Sequence, residues 1–143
     1  MRLQGERADE ESSGMKVRRG GENMYRRLLE RLKRWKEDEN RKPMIIRGAR
    51  QVGKTWLMKE FGRTCYESCA YISMDENEIM ENVFRDAFDI GRIISALEIS
   101  VGFKIIPGKT LLIFDEVQEI PRALKALKYF YEEAPEYHVV AAG

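Results

Sequence analysis

Apolar and polar positions alternate with two different periods along this chain. Tyr25, Leu28, Leu29, Leu32 and Trp35 recur at helical spacing, which predicts an amphipathic helix from Tyr25 to about Glu37. Asp38, Glu39 and Asn40 end it, and Lys42-Pro43 leads into extended backbone. Met44, Ile45 and Ile46 read as a short apolar strand that runs directly into Gly48. Gly53 through Phe61 reads as a helix with Gly62 as its stop. Ala70 to Met74 reads as a second strand, closed by the acidic turn Asp75-Glu76-Asn77. Residues 78–100 carry Ile79, Val83, Phe84, Ile90, Ile93, Ile94 and Leu97 on apolar faces and read as one or two helices. Beyond the Pro107-Gly108 turn, Thr110–Phe114 is a continuous apolar run of the kind buried on both faces. Pro121 suits a first helical turn; Leu124, Leu127, Phe130 and Tyr131 give that helix a core stripe, which ends before Pro135. Tyr137 to Ala142 is a last apolar strand. Strands alternating with helices predict an α/β domain with a mainly parallel sheet flanked by helices.

Residues 1–22 are rich in Glu, Arg, Ser and Gly with almost nothing to bury, and are expected to form a disordered polar arm ahead of a domain over 23–143. A length of 143 residues suits one domain, and 43% hydrophobic against 34% charged residues makes a packed core feasible. No stretch approaches the ~18 apolar residues of a membrane span, and the amino terminus is too polar for a secretory signal. The expectation is a cytoplasmic chain without a membrane partner. Two cysteines and one histidine are too few for a disulfide framework or a Cys/His zinc site. Cys65 and Cys69 are expected as reduced, part-buried thiols, and no motif supports pairing either with His138 in catalysis. Residues 1–42 hold 13 basic and 9 acidic groups, a difference of +4, against 12 and 15, or −3, in the remainder. The basic helix positions Arg26, Arg27, Arg31, Lys33 and Arg34 offer a docking surface for nucleic acid, although a solvated helix face accounts for them as well.

The sharpest chemical signal is Gly48-Ala49-Arg50-Gln51-Val52-Gly53-Lys54-Thr55, a G-x-x-x-x-G-K-[ST] pattern between a predicted strand and a predicted helix. Its glycines let successive backbone N–H groups converge on one anion, and the following helix adds its positive end. Gly48 through Thr55, with Trp56 next in line, form the expected nucleotide-binding set. Lys54 supplies a mobile charge for the β- and γ-phosphates, and the Thr55 hydroxyl is a ligand for Mg²⁺. The second signal is Thr110-Leu111-Leu112-Ile113-Phe114-Asp115-Glu116, an apolar strand ending in two carboxylates, as in a Walker B motif. Asp115 is expected on the Mg²⁺ side opposite Thr55, and Glu116 is placed to polarise a water for attack on the γ-phosphorus. No N-K-x-D element for reading guanine is found, and the chain is too short to show the lid of a nucleoside monophosphate kinase. Water is therefore the expected acceptor.

The run KPMIIRGARQVGKTWLMKEFG, followed by TLLIFDEVQEIPRALKALKYFYEEAPEYHVVAAG, resembles the AAA-type ATPase domain of a large prokaryotic group. In that group the ATPase domain precedes a C-terminal domain of unknown function. The resemblance covers residues 24–143 and includes Arg47, Arg50 and Gln51 in the loop and Gln118-Glu119-Ile120-Pro121 after the acidic pair. It implies a P-loop NTPase-like sheet, ATP binding with Mg²⁺, and hydrolysis in the complete form, with Lys54 and Glu116 as catalytic residues. Members of the group continue with a polar sensor residue, a fifth strand and a helical region. Ending at Gly143 therefore predicts a domain truncated after its fourth core strand. A missing arginine finger can be worth ~10³–10⁵ in rate, so the alternative is a nucleotide-binding switch or remnant with negligible turnover. In the fold resembled, the edge at Met44 and Ile46 would be unpaired and open to self-association or a protein partner.

Overall fold

The run from Thr110 to Asp115 forms one of the two inner strands of the sheet, and all six of its residues are buried. In the computed structural model, residues 15–48 and 53–143 are described, with side chains from Asn23 onward. The elements are helix α1 (Met15–Glu37), strand β1 (Met44–Ile46), helix α2 (Lys54–Cys65), strand β2 (Ser68–Ser73), helices α3 (Glu78–Arg85) and α4 (Ile90–Val101), strand β3 (Thr110–Asp115), a 3₁₀ turn (Val117–Glu119), helix α5 (Pro121–Glu133) and strand β4 (His138–Ala142). The sheet runs β1-β4-β3-β2 and every pairing is parallel. The chain divides into two compact units, ending and beginning at Leu32 and Lys33; the sheet belongs to the second. This is the α/β, P-loop NTPase-like arrangement expected from the sequence.

The two faces of the sheet separate by strand alternation. Ala70 and Ile72 of β2, Met74 just after it, Leu112 and Phe114 of β3, and Val139 and Ala141 of β4 enter one apolar cluster with residues of α3, α4 and α5. The Phe114 ring sits edge-on to Phe84 and Phe130, with centroids 5.9 and 6.1 Å away. Helix α2 packs against β2, β3 and β4 and buries Leu57, Met58 and Phe61.

Local chemistry sets the boundaries. Asn77, read as part of an acidic turn, caps α3 by accepting the Met80 N–H at 3.0 Å. Asp89 caps α4 by accepting the Arg92 N–H at 3.3 Å, so residues 78–101 are two helices rather than one. Strand β2 begins at Ser68, ahead of the expected Ala70, because the Ser68 hydroxyl finds Thr110 Oγ1 at 2.8 Å across the pair.

Two expectations need correction. The first helix begins at Met15 rather than Tyr25, so residues 15–22 of the expected disordered arm are helical; residues 1–14 lie outside the described residues. Extending a formed helix costs far less than nucleating one, and α1 continues through Gly20 and Gly21 despite their poor helix propensity. Gly62 is not a helix stop: α2 continues to Cys65, and Gly62 is buried inside it. A Cβ at Gly62 would lie 2.7 Å from Cys69 Sγ, 3.0 Å from Cys69 Cβ and 3.3 Å from Leu111 Cδ2. The missing side chain is what lets the helix approach the sheet. Gly62→Ala is expected to destabilise the fold by about 1–3 kcal/mol despite its better helix propensity, read as a lower denaturation midpoint.

His138 opens β4 in an aromatic setting. Its Nδ1 shares a 2.6 Å hydrogen bond with the Tyr66 hydroxyl, and Trp35 stands edge-on with ring centroids 5.8 Å apart. Burial first, then the nearby Arg41 and Lys36 cations, lowers its pKa to about 4. The unfolded chain therefore binds a proton near pH 6.5 that the folded chain refuses, and stability is lost as pH falls through that window. As the protein's one histidine, it should account for a loss of about 1–2 kcal/mol between pH 7 and pH 5. His138→Asn is expected to flatten that slope in denaturant titrations at the two pH values.

Candidate functional site

The loop after β1 is shaped by glycine where other residues would be strained. Gly48 has φ +137° and Gly53 φ +125°, both outside the comfortable range of L-residues. Helix α2 starts at Lys54, and its first helical bond runs from the Leu57 N–H to the Gly53 carbonyl at 2.8 Å. Gly53 brings no side chain to cap the helix, so the first-turn N–H groups keep their capacity for an anion. Ala49, Arg50, Gln51 and Val52, named from the sequence, lie outside the described residues. Arg47 is exposed, as is Trp56 in the first turn of α2.

Sixty residues later the second motif meets the first. Thr55 Oγ1 donates to Asp115 Oδ2 at 2.5 Å, joining the start of α2 to the end of β3. The same oxygen accepts the Tyr71 hydroxyl at 2.7 Å, and Asp115 Oδ1 accepts the Glu116 N–H at 3.0 Å. Asp115 is only 5% exposed, and a carboxylate in that position is costly unless hydrogen-bonded. Burial, then the bond to Asp115, raises the Tyr71 pKa to about 12, so its phenol is a proton donor throughout the neutral range.

Glu116 has left-handed backbone, φ 55° and ψ 45°, which is uncommon for a residue with a Cβ. This turns the chain sharply out of the strand into the 3₁₀ turn. Gln118 Nε2 donates to Glu116 Oε1 at 2.8 Å and, more distantly, to Glu119 Oε2 at 3.4 Å. A cavity of about 240 Å³ is lined by Gly48, Lys54, Thr55, Asp115, Glu116, Gln118 and Gly143. Lys54, Thr55, Asp115 and Glu116 are therefore brought together; Trp56 is not part of this lining. A larger cleft of about 480 Å³ opens along β2, where Asp75 and Glu76 are the charged residues. No basic side chain lines it, and the start of α3 at its edge is already capped by Asn77 and flanked by Asp75 and Glu76, so the smaller cavity is the candidate for a phosphate.

The donor set bears on the Mg²⁺ expected from the sequence. Among the described residues, no group of three or more His, Cys, Asp or Glu side chains gathers to hold a metal. One hydroxyl and one carboxylate is instead the sparse, all-oxygen set that suits Mg²⁺, which keeps waters and takes its remaining ligands from phosphates. The residues present fit that ion.

Sequence reasoning missed Tyr71 and gave Gln118 no role. The alternation Cys69-Tyr71-Ser73 puts Tyr71 on one face of its strand, but only the β2–β3 register, with Ser73 opposite Asp115, brings its hydroxyl to the carboxylate. Cys69, on the same strand, has its thiol pKa pushed up to about 11 by burial, in keeping with an inert, reduced cysteine.

No curated protein and no solved structure matches the chain. Residues 40–143, well over half of its length, match the sequence family described as an AAA domain. Together with the parallel sheet and the loop-and-carboxylate site, that match shows that the chain belongs to this AAA-type ATPase family, a nucleotide-binding class.

Proposed function

We propose that this chain binds ATP with Mg²⁺ in the cavity lined by Gly48, Lys54, Thr55, Asp115 and Glu116, and hydrolyses it. The observation that carries the reading is the contact between Thr55 Oγ1 and Asp115 Oδ2 beside Lys54 and Glu116. Two motifs of little use apart become a phosphate and metal site when they meet. The first N–H groups of α2 and the Lys54 ammonium hold the phosphates; Thr55 and Asp115 hold the metal side. Bound Mg²⁺ would supply charge neutralisation at the phosphate oxygens. The Glu116 carboxylate, fixed by Gln118, takes a proton from water as the water oxygen forms its bond to the γ-phosphorus. The bond from that phosphorus to the β–γ bridging oxygen then breaks, releasing ADP and phosphate. Glu116's constrained backbone supports the role, since strain of this kind is retained where a side chain must be aimed.

A second reading rests on the exposure of Arg26, Arg27, Arg31, Lys33 and Arg34 on α1, which would let nucleic acid dock and regulate nucleotide turnover. Stimulation of phosphate release by DNA or RNA would favour it.

Lys54→Ala is expected to weaken ATP binding by about one to two powers of ten, since a charge-assisted contact is worth roughly 1.5–3 kcal/mol. ADP should lose less. Calorimetric titration with both nucleotides checks this, and equal affinities in wild type and variant would reject the phosphate-loop assignment. Glu116→Gln is expected to keep ATP affinity within a few-fold while phosphate release falls about 10²–10⁴-fold. Unchanged turnover in that variant would remove Glu116 from the chemistry.

A further inference from the structure

Asp115 Oδ2 accepts two hydroxyl groups, and only one belongs to the two motifs. Thr55 Oγ1 reaches it at 2.5 Å from α2, and Tyr71 OH at 2.7 Å from β2. The Tyr71 ring is itself held in place. Lys59 Nζ, one turn along α2 from Thr55, lies 4.0 Å from the ring centroid. A cation over the ring face and a carboxylate at the hydroxyl fix both ends of the side chain. The parallel register of Tyr71 with Ile113, and of Ser73 with Asp115, fixes its backbone. Strand β2 and helix α2 thus converge on the same carboxylate oxygen.

We propose that Tyr71 is a positioning residue for the metal-side carboxylate, its phenol setting the orientation in which Asp115 meets Mg²⁺. The proposal rests on the reading of Asp115 given above. A carboxylate at the end of a strand can rotate about its last bond, and each rotamer presents a different oxygen to the cavity. The Glu116 N–H holds Oδ1 by a bond from the adjacent residue. Thr55, itself a prospective metal ligand, cannot be an independent support, because its hydroxyl must also serve the ion. Tyr71 has no such second duty. Its bond to Oδ2 requires nothing of the cation and can persist with the metal present or absent. Partners of this kind orient metal ligands, and their loss typically weakens metal affinity by about 10–100-fold.

The discriminating measurement is ATP affinity of the full 143-residue chain, determined by calorimetry over a series of free Mg²⁺ concentrations and in EDTA. Wild type, Tyr71→Phe and Asp115→Asn are compared, with folding verified by circular dichroism. Phe keeps the ring under Lys59 and removes only the hydroxyl. Tyr71→Phe is expected to need about 10-fold more Mg²⁺ for half of the Mg²⁺-induced tightening, while its affinity in EDTA stays within about twofold of wild type. Asp115→Asn should lose the tightening altogether. If Asp115→Asn responds to Mg²⁺ like wild type, the site reading itself fails. If it does not, but Tyr71→Phe has the wild-type midpoint or a lower one, this proposal alone is overturned. A lower melting temperature in Tyr71→Phe with an unchanged Mg²⁺ midpoint overturns it equally, since that outcome reports a purely structural hydrogen bond.

Discussion

A nearly buried carboxylate at the end of a fully buried strand has to find its hydrogen bonds among its neighbours, and Asp115 is that carboxylate. Its two oxygens accept from Thr55, Tyr71 and the Glu116 N–H. Those donors come from the helix after β1, from the edge strand β2 and from the turn after β3. Leaving any of them unmade would expose the cost of a charge held away from water. The architecture of the site follows from satisfying this one group.

Strand order is the second constraint. Because β4 lies between β1 and β3, the glycine loop and the acidic pair are separated at their closest by a single strand. Gly143, the residue after that strand, lines the cavity, and its N–H reaches the Ile46 carbonyl at 3.3 Å. Ligands of open parallel sheets collect at the carboxyl ends of the strands, where loops can approach without breaking the ladder. Here the parallel connections bring a helix start, a hydroxyl and two carboxylates to that one end.

Rigidity around the site has identifiable sources. On one face of the sheet, Phe114 is wedged between Phe84 and Phe130. On the other, the missing side chain at Gly62 lets α2 approach β2 and β3, which carry Tyr71 and Asp115. The strand that ends in Asp115 is thus packed from both sides. Glu116, by contrast, is half-exposed and left-handed, and its carboxylate is steadied by the Gln118 amide. A firm carboxylate next to a more accessible one suits the division of labour proposed above, between holding an ion and handling a water.

Much of this was legible in the residues themselves. The glycine–lysine–threonine loop, the apolar run into Asp115-Glu116 and the alternation of periods are local patterns, and local physics suffices to read them. A strand buried on both faces must be continuously apolar, and a phosphate loop must have glycine where φ is positive. The first helix and Gly62 escaped such reading for opposite reasons. Helix extension beyond the apolar stripe leaves no periodic trace, while a glycine needed for close packing looks the same in sequence as one that ends a helix. Tyr71 was out of reach altogether. It lies 44 residues from Asp115 along the chain, and nothing near it speaks of a metal or a phosphate. Only the pairing of β2 with β3 sets that distance aside, because register is a property of two strands together and is written in neither.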